Sequence, residues 1–286
     1  MKMMTPSPMP RCRSSLFLPA SNARAIVKAR GLPCDAVILD LEDAVAPDAK
    51  VTAREAVRAA VCDDGFGDRL LVVRVNGADT DWAADDLAML ATAPPDAVLL
   101  PKVDGTPTLR AARTVLGENG PALWAMIETA RGIVALPEIA ATAAELRLTA
   151  LVAGTNDLAL DLRCRPGSDR APLLPALGAI VTAARAGGML ALDGVLNVFD
   201  DPARLAAECG QGSDWGFDGK SLIHPSQIDA ANAAFGPGEA EIARARAIVT
   251  AFAAPDAQGR GAISLNGEMV ERLHLAEAQR VLAIVQ

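Results

Sequence analysis

The chain has 286 residues, enough for one large core or two smaller domains, and its 51% hydrophobic content excludes a disordered protein. A formal net charge of −8, with lysines and arginines scattered rather than clustered, argues against a nucleic-acid partner, which needs a basic face. There is no tyrosine and there are two histidines, His224 and His274, so acid–base chemistry falls to carboxylates, lysines and arginines, and a zinc site of ordinary spacing has no support.

At the N-terminus, "MKMMTPSPMPRCRSS" lacks the apolar core of a secretory segment. Charged residues interrupt every apolar run before it reaches membrane-spanning length. The five cysteines (12, 34, 62, 164, 209) are widely spaced, odd in number and form no C-x-x-C pair, which fits reduced, mostly buried thiols. A cytoplasmic protein with no membrane partner is expected.

In chain order, apolar runs recur: "SSLFLPA" (14–20), "AVILDLED" (36–43), "LLVVRVN" (70–76), "AVLLPKV" (97–103), "ALWAMIE" (122–128), "LTALVAG" (148–154), "LALDGVL" (190–196) and "WGFDGKSLI" (215–223). Amphipathic segments such as "KVTAREAVRAAV" and "LLPALGAIVTAARAGG" lie between them. Near-continuous apolar strands alternating with helices imply a parallel sheet covered on both faces. Eight such units over roughly 230 residues match an α/β fold of the (β/α)8 TIM-barrel type. The competing open, doubly wound sheet is disfavoured because "FLPASNARA", not G-x-G-x-x-G, follows the first strand. The barrel is assigned to residues 1–235. Residues 236–286 exceed what a barrel needs: a long helix, a break at "PDAQGRGAISLNG" and a final helix "EMVERLHLAEAQRVLAIV". This C-terminal helical extension is expected to pack on a neighbouring subunit.

Active sites of such barrels lie at the C-terminal strand ends. Those ends carry Asp40, Glu42 and Asp43, then Arg74 and Asn76, Lys102, Glu128, Asn156 and Asp157, Asp193 and Asn197, and Asp218 and Lys220. Most should face one mouth. Each also has a structural reading. Glu128 could complement a helix dipole, Asp157 could cap a turn, and Arg74 and Lys102 could be counter-ions to the acids at 40–43. Lys220 and His224 could merely finish the last strand and begin its helix, and the three tryptophans read as core or interface. Two carboxylates ending adjacent strands, with room for waters and a bidentate substrate, suit Mg2+.

With these residues in place, "RSSLFLPASNARAIVKA", "AVILDLEDAVAPDAKVTAREAV", "VVRVNGADTDWAADDL", "LLPKVDG", "MIETARGI", "GTNDLALDL" and "GFDGKSLIHPSQI" together resemble the citrate lyase β-like group of the HpcH/HpaI aldolase superfamily. That group includes malyl-CoA and citramalyl-CoA lyases. The resemblance implies a (β/α)8 barrel, a homotrimer or dimer of trimers, and Mg2+-dependent cleavage of a 3-hydroxyacyl-CoA thioester to a 2-oxo acid and acetyl-CoA. Glu128 and Asp157 match its metal carboxylates, with Glu128 also facing substrate. Arg74 matches the arginine on the substrate carboxylate and developing oxyanion. Asp40, Glu42 and Asp43 stand where the family keeps acids around the metal water, with Lys102 beside them. In the tail, related lyases carry aspartate in "M-I-D" as an acid/base reaching a neighbouring subunit; this chain has "MVE", placing Glu271 there. Two alternatives accompany this reading: a citrate lyase β subunit acting on a thioester of acyl carrier protein, and a non-catalytic metabolite-binding barrel.

Overall fold

Val-, Leu- and Ile-rich segments that bury both faces form the inner wall of the molecule. The structure, a computed structural model, describes residues 11–63 and 65–284; most of the N-terminal stretch read for a secretory segment lies outside them. The order is β1 (Ser14–Pro19), α1 (Ala23–Ala29), β2 (Ala36–Asp40), α2 (Lys50–Cys62), β3 (Leu70–Arg74), α3 (Ala83–Thr92), β4 (Ala97–Leu100), α4 (Thr106–Leu116) and β5 (Ala122–Ile127). Then come α5 (Ala130–Ala141), α6 (Ala143–Leu146), β6 (Leu148–Ala153), α7 (Thr155–Asp161), α8 (Leu174–Gly187), β7 (Leu190–Asp193), α9 (Pro202–Asp214), β8 (Gly219–Leu222) and α10 (Ile228–Ala234). The eight strands pair in parallel and in sequence order, and β8 closes on β1 with Ser14 opposite Lys220.

The two faces of each strand enter different cores. Ile38, Val72, Leu99, Trp124, Met126, Val152 and Leu192 point into the barrel and fill it. Alternate residues such as Val37, Leu39, Val73, Val98 and Leu151 meet the helices outside. Each large side chain so buried contributes about 1.5–3 kcal/mol, which fixes the register and with it the strand ends. Asp40 lies opposite Arg74, and Ile127 opposite Ala153, so residues that follow these positions emerge side by side. The last strand is shorter than its apolar run: residues 215–218 lie outside it, and β8 begins at Gly219.

Among the described residues, 12–235 form one compact unit and 236–284 belong to another. The second holds α11 (Glu239–Ala253), β9 (Ala262–Leu265), β10 (Glu268–Glu271) and α12 (Arg272–Ile284) around Ile248, Phe252, Val270, Ala278 and Val281. The final helix expected from "EMVERLHLAEAQRVLAIV" therefore starts later. Its first four residues are a strand, paired antiparallel with β9. The cause is the Asn266–Gly267 turn, with φ of 52° and 84°, because two consecutive positive-φ residues close a two-residue hairpin. Among the described residues no helix is long and apolar enough to cross a membrane.

Candidate active site at the barrel mouth

A cavity of about 380 Å3 opens at the C-terminal strand ends, and Phe17, Asp40, Asp43, Arg74, Glu128 and Asp157 are among its lining residues. Glu128 directly follows β5, where Thr129 caps α5 by accepting the Gly132 N–H. Asp157 is the third residue of α7, immediately after β6. Between them sits Gly154. A Cβ there would lie 2.4 Å from the Glu128 Oε2, so only glycine leaves the carboxylate its place.

Glu128 is 3% exposed. Its Oε1 accepts the Lys102 backbone N–H at 2.7 Å, from a residue held at φ 50°. Burial pushes its carboxyl up to about 7, and the nearby acids Glu42 and Asp157 add to this against the Lys102 N–H and Arg74.

Arg74 ends β3 and braces the acids of the β2 loop. Its Nε and Nη2 donate to the two oxygens of Asp40 at 2.6 and 2.7 Å, and Nη1 lies 2.8 Å from Glu42 and 3.5 Å from Asp43. Asp40 also accepts the backbone N–H groups of Glu42 and Ala44, which folds the loop back over the strand end. The Phe17 ring covers the guanidinium, 5.1 Å from its centroid. Lys102 Nζ reaches Glu42 at 3.1 Å. Burial raises the Glu42 pKa, and Arg74 opposes the shift. Every barrel residue assigned to the site from sequence is thus within one cavity wall or in contact with it.

Four residues expected at strand ends are engaged elsewhere. Asn76 bonds Asp86 and Lys50. Asp193 and Lys220 belong to a closed, buried cluster with Arg170 and Glu208, in which Lys220 Nζ contacts Asp193 at 3.2 Å and Glu208 at 2.7 Å. Asp218 accepts from Arg185 and from the Ala191 N–H. Asp218 precedes β8 and Lys220 is its second residue, so neither stands at the C-terminal strand end expected of it; for Asn76 and Asp193 the partners Lys50, Arg170 and Asp86 come from helices and connections whose packing the sequence pattern does not display. His224 caps the turn after β8 and stacks on Phe199, with ring centroids 5.2 Å apart. Glu271 ends β10 in the C-terminal unit, where its N–H donates to His274 Nδ1 at 2.9 Å. The five cysteines are free thiols, with Cys12, Cys34 and Cys209 buried.

Among the described residues, no group of three or more His, Cys, Asp or Glu side chains could hold a metal ion. The Glu128–Asp157 pair is a two-carboxylate donor set, the kind that a hard cation such as Mg2+ uses while retaining waters. Both acids line the 380 Å3 cavity and also a second, of about 340 Å3, bounded by Lys102, Thr129, Leu160, Asp161 and Arg163. Access from two sides leaves room for those waters. The residues present fit the ion.

A closed parallel barrel whose mouth gathers an acidic pair beside an arginine-braced acid loop defines an enzyme of the (β/α)8 class with a candidate divalent-cation site. The family model for HpcH/HpaI aldolase/citrate lyase matches residues 13–225, and the chain belongs to this family and is an enzyme of its lyase type. It is 46% identical over 271 residues to a (3S)-malyl-CoA thioesterase of Cereibacter sphaeroides, covering 95% of this chain and 93% of that protein. Against the citrate lyase subunit beta of Escherichia coli it is 36% identical over 280 residues, covering 95% and 92%. A crystal structure of CitE from Mycobacterium tuberculosis, in complex with magnesium, acetoacetate and coenzyme A, superposes with a TM-score of 0.77 at 33% identity, covering 96% of this chain and 97% of that one.

Proposed function

We propose that this chain is a Mg2+-dependent enzyme acting on a 3-hydroxyacyl-CoA thioester of the malyl or citramalyl type, and that it cleaves the C–C bond to release a 2-oxo acid and acetyl-CoA. The observation that carries this reading is the Glu128–Asp157 pair set in one cavity beside Arg74. Bound there, Mg2+ would act as Lewis acid and orienting template for the substrate's hydroxyl and carboxylate. Glu128 and Asp157 would hold the ion. Arg74, fixed by Asp40 and Glu42, presents positive charge to the same end of the substrate, so the oxygen that becomes the 2-oxo group is stabilised as the bond breaks. Glu42 and Asp43, on the loop that follows Asp40, and Lys102, which reaches Glu42, orient water.

Glu271 is assigned the acid/base role at the thioester α-carbon, supplied by a neighbouring copy in a homotrimer or dimer of trimers through the 236–286 extension. In place of the family's aspartate, glutamate adds about one ångström of reach, a change to which catalytic geometry is sensitive.

The 46% identical malyl-CoA thioesterase favours a second outcome at the same site, hydrolysis of the thioester to the free hydroxy acid and CoA. One experiment separates the two. Purified protein with Mg2+ and (3S)-malyl-CoA is expected to release glyoxylate and acetyl-CoA; release of malate and free CoA thiol instead would assign hydrolysis. EDTA and Glu128→Ala should each abolish turnover by at least about 100-fold. A Glu128→Ala enzyme of wild-type rate would remove the metal assignment.

A further inference from the structure

The cavity is short of donors for one oxygen. Four carboxylates line it, Asp40, Asp43, Glu128 and Asp157, against the single guanidinium of Arg74. That guanidinium is already turned to acids: Nε and Nη2 donate to Asp40, and Nη1 faces Glu42, Asp43 and the Met126 sulfur. Lys220, which does not line the cavity, is fully buried and committed to Asp193, Glu208 and the Gly194 carbonyl. The remaining lining residues with a side-chain donor are Thr155, Asn156 and Asn197. The two asparagines face one another across the mouth. Asn156 Nδ2 donates to Asn197 Oδ1 at 3.2 Å and Asn197 Nδ2 to Asn156 Oδ1 at 2.8 Å, closing a ring of two amides. Neither amide N–H is held by a carboxylate.

Each asparagine is aimed by something rigid. Asn156 precedes Asp157 in the first turn of α7, one residue from a proposed metal ligand. Asn197 lies on the loop after β7, whose root is clamped at Gly194: its N–H donates to Asp193 Oδ1 at 2.8 Å, and its carbonyl accepts from Lys220 Nζ. A Cβ on Gly194 would meet the Thr155 side chain at 2.4 Å, so the β7 loop and the start of α7 touch at that point. The spacing between the two amides is therefore set by the packed barrel end beneath them.

Resting on the proposed thioester chemistry, we propose that Asn156 and Asn197 form the donor pair for the thioester carbonyl oxygen, exchanging their mutual hydrogen bonds for bonds to that oxygen when substrate enters. The chemistry requires donors there. In C–C cleavage the bonding electron pair delocalises onto the thioester oxygen as an enolate, the alcohol proton passes to a carboxylate, and the α-carbon is reprotonated. In hydrolysis, water adds to the same carbonyl, gives up a proton, and puts the negative charge on the same oxygen before the thiolate leaves. A cavity whose charged lining is four carboxylates to one guanidinium would repel either charge unless donors stand at that oxygen, and amides supply them without a further ionic group to desolvate.

The test compares wild type with Asn156→Ala, Asn197→Ala and Asn197→Asp. In turnover of (3S)-malyl-CoA with Mg2+, each alanine variant should lose about 10- to 100-fold in kcat, less than a deeply buried oxyanion donor because these amides lie on the rim. The Mg2+ dissociation constant and the thermal midpoint should stay near wild type. Asn197→Asp should lose more than Asn197→Ala. Wild-type kcat in both alanine variants, or a parallel loss of Mg2+ affinity and thermal midpoint, overturns the assignment. A binding readout keeps the pair testable apart from the reaction. Wild type should bind acetyl-CoA more tightly than S-ethyl-CoA, the thioether lacking the carbonyl oxygen, and both alanine variants should lose that preference. Preference without turnover in wild type would sink the proposed reaction and keep the donor pair. No preference in wild type, or preference retained in the variants, sinks the donor pair.

Discussion

Glu128 has an ordinary pKa of 4.5 and is pushed up to about 7 by burial first, then by Glu42 and Asp157. A carboxyl whose pKa is higher in the folded chain than in the unfolded one favours folding in its protonated form. That contribution is complete below about pH 4.5 and is lost as pH rises through about 7. Without metal, the folded chain at pH 8 must hold an anion whose Oε1 has one backbone donor, the Lys102 N–H. Glu128→Gln removes the charge and keeps the shape. In EDTA it should therefore be more stable than wild type at pH 8, by on the order of 2–3 kcal/mol, and nearly equal to it at pH 4.5. Saturating Mg2+ should reverse the order at pH 8, because only the carboxylate gains from the ion. Urea denaturation at the two pH values, with and without Mg2+, measures this. An equal difference at both pH values would mean that the titrating group lies elsewhere.

Strand ends and connections divide the polar residues into a working set and a structural set, and the same sequence pattern covers both. Arg74, the last residue of β3, and Lys220, the second of β8, both sit beside carboxylates, yet Arg74 reaches the cavity and Lys220 is 0% exposed in a closed cluster. Removing one ion from such a cluster leaves a partner charged and buried. Lys220→Met should cost about 3–5 kcal/mol in chemical denaturation. Adding Glu208→Gln should recover a substantial part, because the stranded charge goes with it; a double variant as unstable as the sum of the two single ones would mean the groups are not coupled. The hairpin between α11 and α12 shows a different limit. "NG" flanked by "ISL" and "EMV" is a hairpin signal, but the amphipathic run that follows extends a helix reading backwards over "EMVE". Backbone geometry decides it: Gly267 at φ 84° makes Gly267→Val unfavourable, by about 1–2 kcal/mol in thermal unfolding, whereas Gly238, outside positive φ, should tolerate alanine.

At the level of the whole molecule, eight apolar runs with amphipathic segments between them made the barrel readable, because buried parallel strands and covering helices differ in hydrophobic period. The acid pair was readable because Glu128 and Asp157 follow the ends of neighbouring strands. The Asn156–Asn197 ring and the Arg170–Asp193–Glu208–Lys220 cluster were not, since both depend on side chains 12 to 41 positions apart meeting in space. Glu271 raises the largest question of this kind. It belongs to the unit of residues 236–284, while Glu128 and Arg74 belong to the unit of residues 12–235. If each active site joins the barrel of one copy to the extension of another, two inactive variants must complement. Glu128→Ala destroys the barrel half of a site and leaves Glu271 intact; Glu271→Gln does the reverse. Equal amounts of the two proteins, unfolded together and reassembled, would place a wild-type barrel beside a wild-type extension by chance in roughly a quarter of sites. Activity should then rise from near zero in each variant to about that share of the wild-type rate. Were both halves drawn from the same chain, every site in the mixture would carry one lesion and no activity would return. Wild-type activity in Glu271→Gln alone would instead remove Glu271 from the chemistry and leave the proton transfer to the barrel.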